Sequence, residues 1–149
     1  MRQYVVDAFT DQVFSGNPAA VCVLEHWLPD ELLIKIALEN NLSETAYLLK
    51  GRDGWQLRWF TLNGEIDLCG HATLAAAYTV MEQIETGIAQ ICFHTKSGVI
   101  TVEKQNDLYV MDFPAYVLNS VPVTDEMVQA IGAHPVEAYM GRDLLCVMD

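Results

Sequence analysis

Between Ala72 and Met81 the chain has no polar stripe. Leu74, Ala75, Ala76, Ala77, Tyr78, Val80 and Met81 fall on every side of a would-be helix, with only Thr73 and Thr79 among them. A helix with no face for water belongs in the middle of a domain, so the pattern predicts a buried axis over about residues 70–86. Elsewhere the pattern changes period. Residues 4–9 and 19–24 read as two strands, paired as a hairpin around Ser15-Gly16-Asn17-Pro18. Pro29-Asp30-Glu31 followed by Leu32, Leu33, Ile36 and Ala37 starts an amphipathic helix that stops near Asn40-Asn41. Strands follow at 46–49 and 57–61, divided by Gly51-Arg52-Asp53-Gly54.

After the buried helix come three β segments, at 90–95, 98–103 and 108–113, turning at Lys96-Ser97-Gly98 and Asn106-Asp107. The middle one alternates apolar and polar, so one face of this meander is expected to be wet. Pro114 ends it, and the character shifts. A short helix is expected from Asp125 to Ile131, with Thr124 as N-cap and Gly132 as C-cap. Two strands, 138–140 and 144–148, meet at Gly141-Arg142-Asp143. The last is apolar and needs a partner, because an exposed apolar edge invites aggregation.

Charge narrows the function classes. The 149 residues carry 8 basic and 20 acidic side chains, a net charge of -12. Binding nucleic acid requires a basic patch to neutralise phosphates, so that partner is excluded, and an anionic membrane surface is disfavoured for the same reason. No apolar run approaches the roughly 20 residues that span a bilayer. Cys22, Cys69, Cys92 and Cys146 form no C-x-x-C pair, and residues 1–6 do not make a secretory leader. The expectation is a cytoplasmic protein with reduced thiols. His26, His71, His94 and His134 are too widely spaced to announce a metal site.

Three places could carry chemistry. Asn40 to Thr45 sets one acid, Glu44, in an uncharged polar turn between a helix and an apolar strand. A carboxylate entering a low-dielectric setting is pushed toward a pKa useful for general acid/base work; otherwise Ser43 or Glu44 only satisfies local backbone groups. Cys69-Gly70-His71 opens the buried helix. Its first turn leaves N–H groups and partial positive charge that favour an anion and acidify a thiol; otherwise Cys69 is a plain buried cysteine and His71 a cap. Glu65 and Asp67 are either a surface pair or an orienting acid for His71.

Taken in order, these pieces resemble the phenazine-biosynthesis-like (PhzF-type) isomerase/epimerase family. The matching residues are Asp7-Ala8-Phe9-Thr10, Phe14 to Val21, Asn41 to Ala46, Leu57 to Thr61, Glu65 and Cys69 to Ala76. Thr95 to Gly98, Asp112-Phe113-Pro114 and Gly141 to Leu145 complete the series. Leu62 departs from it, standing where the family usually has a proline.

The resemblance implies an α+β fold like that of diaminopimelate epimerase: a curved, mostly antiparallel sheet wrapped around a central buried helix, in two halves with the active site between them. Residues 1–114 would be the first domain and 115–149 the start of a truncated second. It implies catalysis without cofactor or metal. Glu44 would be the acid/base residue and His71 its active-site partner, while Cys69 ranks well below Glu44. Asn17, Ser43, Gly70, His71, Ala72 and Thr73 would bind a small carboxylate-bearing substrate. The resemblance would place the family's glycine-rich second-half segment, and the far C-terminus that returns to the first domain, beyond Asp149. A homodimer is the expected assembly. The rival expectation is a catalytically incomplete half that serves as a folded or oligomeric module.

Overall fold

The computed structural model describes all 149 residues, which divide into two compact units, Met1–Phe113 and Pro114–Asp149. In the first unit, strands β1 (Arg2–Ala8), β2 (Asn17–Leu24), β3 (Thr45–Lys50), β4 (Trp55–Thr61) and β5 (Gly64–Ile66) precede the buried helix. Strands β6 (Gln90–Thr95), β7 (Gly98–Gln105) and β8 (Leu108–Asp112) follow it. They form one curled eight-stranded sheet of order β1-β2-β3-β4-β6-β7-β8, with β5 hung on β4. Pairing is antiparallel except for β2 with β3 and β4 with β6.

Two helices cover this sheet from opposite faces. Helix α1 spans Asp30–Asn40 and helix α2 spans Gly70–Thr79. Because successive strand residues point to opposite faces, β2 divides its side chains. Ala19, Val21 and Val23 pack toward α2, and Cys22 and Leu24 pack toward α1. Both faces of β2 are therefore dry, which is why it reads as an unbroken apolar run. In β7, by contrast, Ile100 and Val102 are buried and their neighbours are wetter.

The all-round apolarity of α2 has the expected outcome: Ala72, Ala75, Ala76, Ala77, Val80 and Met81 lie in the main core against Leu48, Leu57, Trp59 and Phe93. The expected single helix to residue 86 is shorter, however. At Val80–Ile84 it widens into a π-helical turn, closed by the Glu85 N–H on the Val80 carbonyl at 2.7 Å. Leu74 and Tyr78 look instead into a groove of about 900 Å³ between β1 and the β7–β8 turn, the two ends of the sheet path.

One polar clamp ties the elements on the α1 side. Arg58 of β4 grips Glu65 of β5 through two bonds of 2.7 and 2.8 Å and reaches Asp30 of α1 at 2.9 Å. Its guanidinium also stacks near the rings of Trp27 and Phe60, at 5.2 and 5.0 Å. Lys96 adds a further bond to Glu65. Arg58 first, and Lys96 after it, hold the Glu65 carboxyl below the usual carboxylate range. Exposed ion pairs are worth under ~1 kcal/mol, whereas breaking a buried one costs about 3–5 kcal/mol. The Glu65 side chain is 11% exposed and Arg58 22%, so this clamp falls between. Arg58→Met is expected to cost about 2 kcal/mol, read as a lower urea midpoint with unchanged m-value.

In the second unit, β9 (Asn119–Val121), α3 (Asp125–Ile131), β10 (Glu137–Met140) and β11 (Leu144–Val147) make a three-stranded antiparallel sheet and one short helix. The caps are as expected. Thr124 Oγ1 accepts the Met127 N–H at 3.3 Å, and Gly132 turns left-handed at φ 76° with its N–H on the Val128 carbonyl. Strands β5 and β9 went unread in the sequence; at three residues each, they are too short to show a period. Only Pro135 and Ala138 of this unit are buried, which leaves Val117, Ile131, Val136 and Leu145 exposed.

Candidate active site

The turn from α1 to β3 is built to present Glu44. Asn41 ends α1 in a left-handed conformation, φ 51°, with its N–H on the Ala37 carbonyl. Asparagine accepts that conformation more readily than most residues. Beside it, Asn40 donates to Thr45 Oγ1 at 3.1 Å and accepts from Gln3 Nε2 at 2.8 Å. Thr45 is buried, so this chain of amides anchors the residue next to Glu44 to edge strand β1. Neither Asn40 nor Gln3 stood out in the sequence, because long-range side-chain pairing leaves no local signal.

The second half of the site is the N-terminus of α2. Cys69 precedes the helix in extended conformation, and its carbonyl accepts both the Thr73 N–H at 3.2 Å and the Thr73 hydroxyl at 2.5 Å. The Thr73 side chain is thus committed to the helix itself. His71 turns back toward the β3 turn. Its Nε2 lies 3.3 Å from Glu44 Oε2 and 3.4 Å from Ser43 Oγ, and its Nδ1 lies 3.4 Å from Cys69 Sγ. The side chains of Glu44 and His71 are 18% and 10% exposed. Asn17 opens β2, which runs parallel to β3 with Ala20 opposite Thr45, so it stands at the same end of the sheet. Gly70 and Ala72 sit in the first helical turn, Ala72 buried and Gly70 half-buried.

Electrostatics sort the roles. Burial lowers the His71 pKa below its ordinary 6.5, with the Glu44 charge offsetting part of the effect, so near neutral pH the imidazole is uncharged. Of the two readings open at Cys69, burial favours the plain buried cysteine. Burial pushes its thiol up to about 11, and the helix-end amides of Ala72 and His71 draw it only part of the way back. The helix N-terminus does act on the sulfur, but desolvation outweighs it. Glu65 is spoken for by Arg58 and Lys96, and Asp67 is exposed. His71 takes Glu44 as its acidic neighbour.

The histidine shift has a measurable sign. A folded-state pKa below the unfolded 6.5 means that the unfolded chain binds the extra proton first, so acid costs stability. The contribution is complete above about pH 6.5 and is lost as pH falls through the lower folded value. Urea denaturation at stepped pH is expected to show the wild type losing stability more steeply than His71→Gln across that window. Parallel curves would contradict it.

Spacing alone showed no Cys/His cluster, yet the fold assembles one donor set from two elements. Ligand atoms of Glu44, Cys69 and His71 all lie within 4.8 Å of one another. No helix is long and apolar enough to cross a membrane.

A curled sheet around a buried helix, with a glutamate and a histidine meeting at the helix N-terminus, defines a class that comparison with known proteins identifies. The profile described as phenazine biosynthesis-like protein matches residues 6–138, and the chain belongs to that family. A Pseudomonas aeruginosa protein named as an uncharacterized isomerase is 46% identical over 147 residues, covering 98% of this chain and 56% of its own length. The crystal structure of a PhzF-family phenazine biosynthesis protein from Enterococcus faecalis superposes with a TM-score of 0.89 at 46% identity, over 99% of this chain and 56% of that one. A predicted epimerase of Pseudomonas aeruginosa, 18% identical with a TM-score of 0.73 over 94% of this chain and 55% of that one, shares the fold. The expected epimerase-like α+β architecture is therefore observed. The chain spans just over half the length of these relatives.

Proposed function

We propose that this chain carries the acid/base half of an isomerase or epimerase that moves a proton on a small carboxylate-bearing substrate, without a cofactor. The observation that carries the reading is the meeting of Glu44 with His71, 3.3 Å apart, at the N-terminus of a buried helix. Glu44 removes a proton from a carbon near the substrate carboxylate and returns it at another position or face. Neutral His71 orients Glu44 and donates a hydrogen bond, with Ser43 beside it. The N–H groups of the first helical turn, at Gly70, His71 and Ala72, lack intrahelical carbonyl partners and favour the substrate carboxylate, those of His71 and Ala72 being shared with the Cys69 sulfur. The Thr73 side chain is held on the Cys69 carbonyl, so it serves by shaping the turn. Asn17 borders the same end of the sheet.

Residues 115–149 begin the second domain in this reading, which fits a compact unit, Pro114–Asp149, with two buried residues. The groove between β1 and the β7–β8 turn is the seat of the strand that the family returns to its first domain. The protein works as a cytoplasmic homodimer.

The test follows solvent deuterium entering a panel of small amino and unsaturated carboxylates by NMR. It is run on this chain and on a chimera whose second half comes from a full-length relative. Exchange that depends on Glu44 supports the reading; its absence from the chimera across the panel overturns it. A second reading, a catalytically incomplete half acting as an oligomeric module, draws on the exposed apolar side chains of the second unit. It predicts no exchange by this chain and a concentration-dependent assembly in sedimentation; a stable monomer would remove its support.

A further inference from the structure

The three side chains at the mouth of α2 differ in chemistry, yet they converge. Cys69 Sγ stands 3.4 Å from the His71 ring and Glu44 Oε2 3.3 Å from it, with all three ligand atoms inside 4.8 Å. A tetrahedral zinc ion holds sulfur at about 2.3 Å and nitrogen and oxygen near 2.0–2.2 Å, which places neighbouring donors roughly 3.3–3.6 Å apart. Whichever ring nitrogen ligates, one edge of that triangle already has the right length, and the remaining separations stay within 4.8 Å. The imidazole turns Nδ1 toward the sulfur and Nε2 toward the carboxylate. One nitrogen would ligate, after a turn of the ring or a swing of the Glu44 side chain.

From this geometry we propose that Glu44, Cys69 and His71 form a binding site for a thiophilic divalent cation, Zn²⁺ being the ion that fits, and that its occupancy silences the site. The donor set is one thiolate, one imidazole and one carboxylate, which selects Zn²⁺ over the hard ions Mg²⁺ and Ca²⁺. Two anionic ligands neutralise the dication, so the buried complex carries no net charge. In the empty site burial keeps the thiol protonated, and the ion reverses that by direct bonding to sulfur. The step balances as a substitution. The S–H bond breaks, its proton leaves to solvent, a Zn–S bond forms, and no electrons are transferred. Glu44, once a ligand, shares its charge with the ion and loses the basicity needed to take a substrate proton.

The consequence for catalysis rests on Glu44 being the base; binding does not. The 149-residue chain is titrated with Co²⁺, whose thiolate charge-transfer band reports sulfur ligation, and Zn²⁺ is then added as competitor. The expected result is one Co²⁺ per chain with a thiolate band, displaced by Zn²⁺, and one proton released per ion. Cys69→Ser is expected to lose the band and weaken Zn²⁺ binding by about 100-fold or more, and His71→Asn to weaken it similarly. A wild type without the band overturns the proposal. So does a band that survives in Cys69→Ser, which would place the ion on another cysteine. If Cys69→Ser does not fold, unchanged affinity in His71→Asn overturns it alone. Absence of deuterium exchange from the metal-free chimera would instead count against the catalytic reading and leave this one standing.

Discussion

Glu44→Gln in the chimeric enzyme is expected to slow solvent deuterium exchange into substrate by about 10²- to 10⁴-fold, the usual worth of a positioned general base. That is about 3–5 kcal/mol of barrier. Glutamine keeps the shape of the side chain and can still lie against His71 Nε2, but its amide cannot accept the substrate proton. The site is already partly open, with Glu44 18% exposed, so the substitution should leave the urea midpoint nearly unchanged. The loss is expected in kcat more than in KM, because in the proposed function the carboxylate acts on the reacting proton. Cys69→Ser supplies the contrast. A thiol held near 11 by burial has almost no thiolate at neutral pH, so its loss should cost less than about 10-fold. Both are measured with a chelator present, to keep zinc from masking the comparison. The reverse order of effects would move the base from Glu44 to Cys69.

What could be read in advance follows the range of the interactions. The buried axis was legible because Ala72 to Met81 has no polar stripe, and that pattern is a property of the helix's own sequence. The caps at Thr124 and Gly132 were legible for the same reason, since each is satisfied within three or four residues. The outcome at Cys69 depended on two opposing effects, of which desolvation is the larger. The helix N-terminus was visible in the sequence, but the depth of burial was set by strands that pack over it, and burial won. Glu65 shows the same limit. Its partner Arg58 lies only seven residues away, across the β4–β5 turn, yet a three-residue strand gives no period from which to infer that they face each other.

The site was legible as a list of types and hidden as an arrangement. Glu44 and His71 lie on separate elements, and nothing in their spacing requires the approach to 3.3 Å. The family resemblance supplied the pairing. The structure supplied its support: the Gln3–Asn40–Thr45 chain of hydrogen bonds that fixes the turn, and the Thr73 hydroxyl that closes the helix start. A three-donor cluster then appeared where neither histidine nor cysteine spacing had suggested one.

The stability prediction with the largest effect lies in the loop that leads to Asn17. Gly16 adopts φ +73°, and a Cβ built there would stand 2.2 Å from the Ala8 carbonyl oxygen and 2.8 Å from Thr10 Cγ2. The carbonyl is backbone at the end of β1, where Ala8 faces Asn17 across the hairpin, so it cannot swing aside as a side chain would. The loop is already taut: Phe9 and Phe14 hold φ values of 63° and 64°, and Asp7 accepts the Phe14 N–H at 3.3 Å. Gly16→Ala therefore carries two costs. The left-handed backbone is worth about 1–2 kcal/mol against alanine, and relieving the clash requires the last β1–β2 pair to separate. Together they are expected to cost about 3 kcal/mol, read from urea denaturation. Gly87 provides the control, because its φ is +90° and a Cβ there meets nothing within 4 Å. Gly87→Ala should cost about 1–2 kcal/mol, and the difference between the two measures the crowding alone. Equal losses would mean that Ala8 gives way freely. In that case the β1–β2 loop would be too soft to hold Asn17 at the mouth of the site.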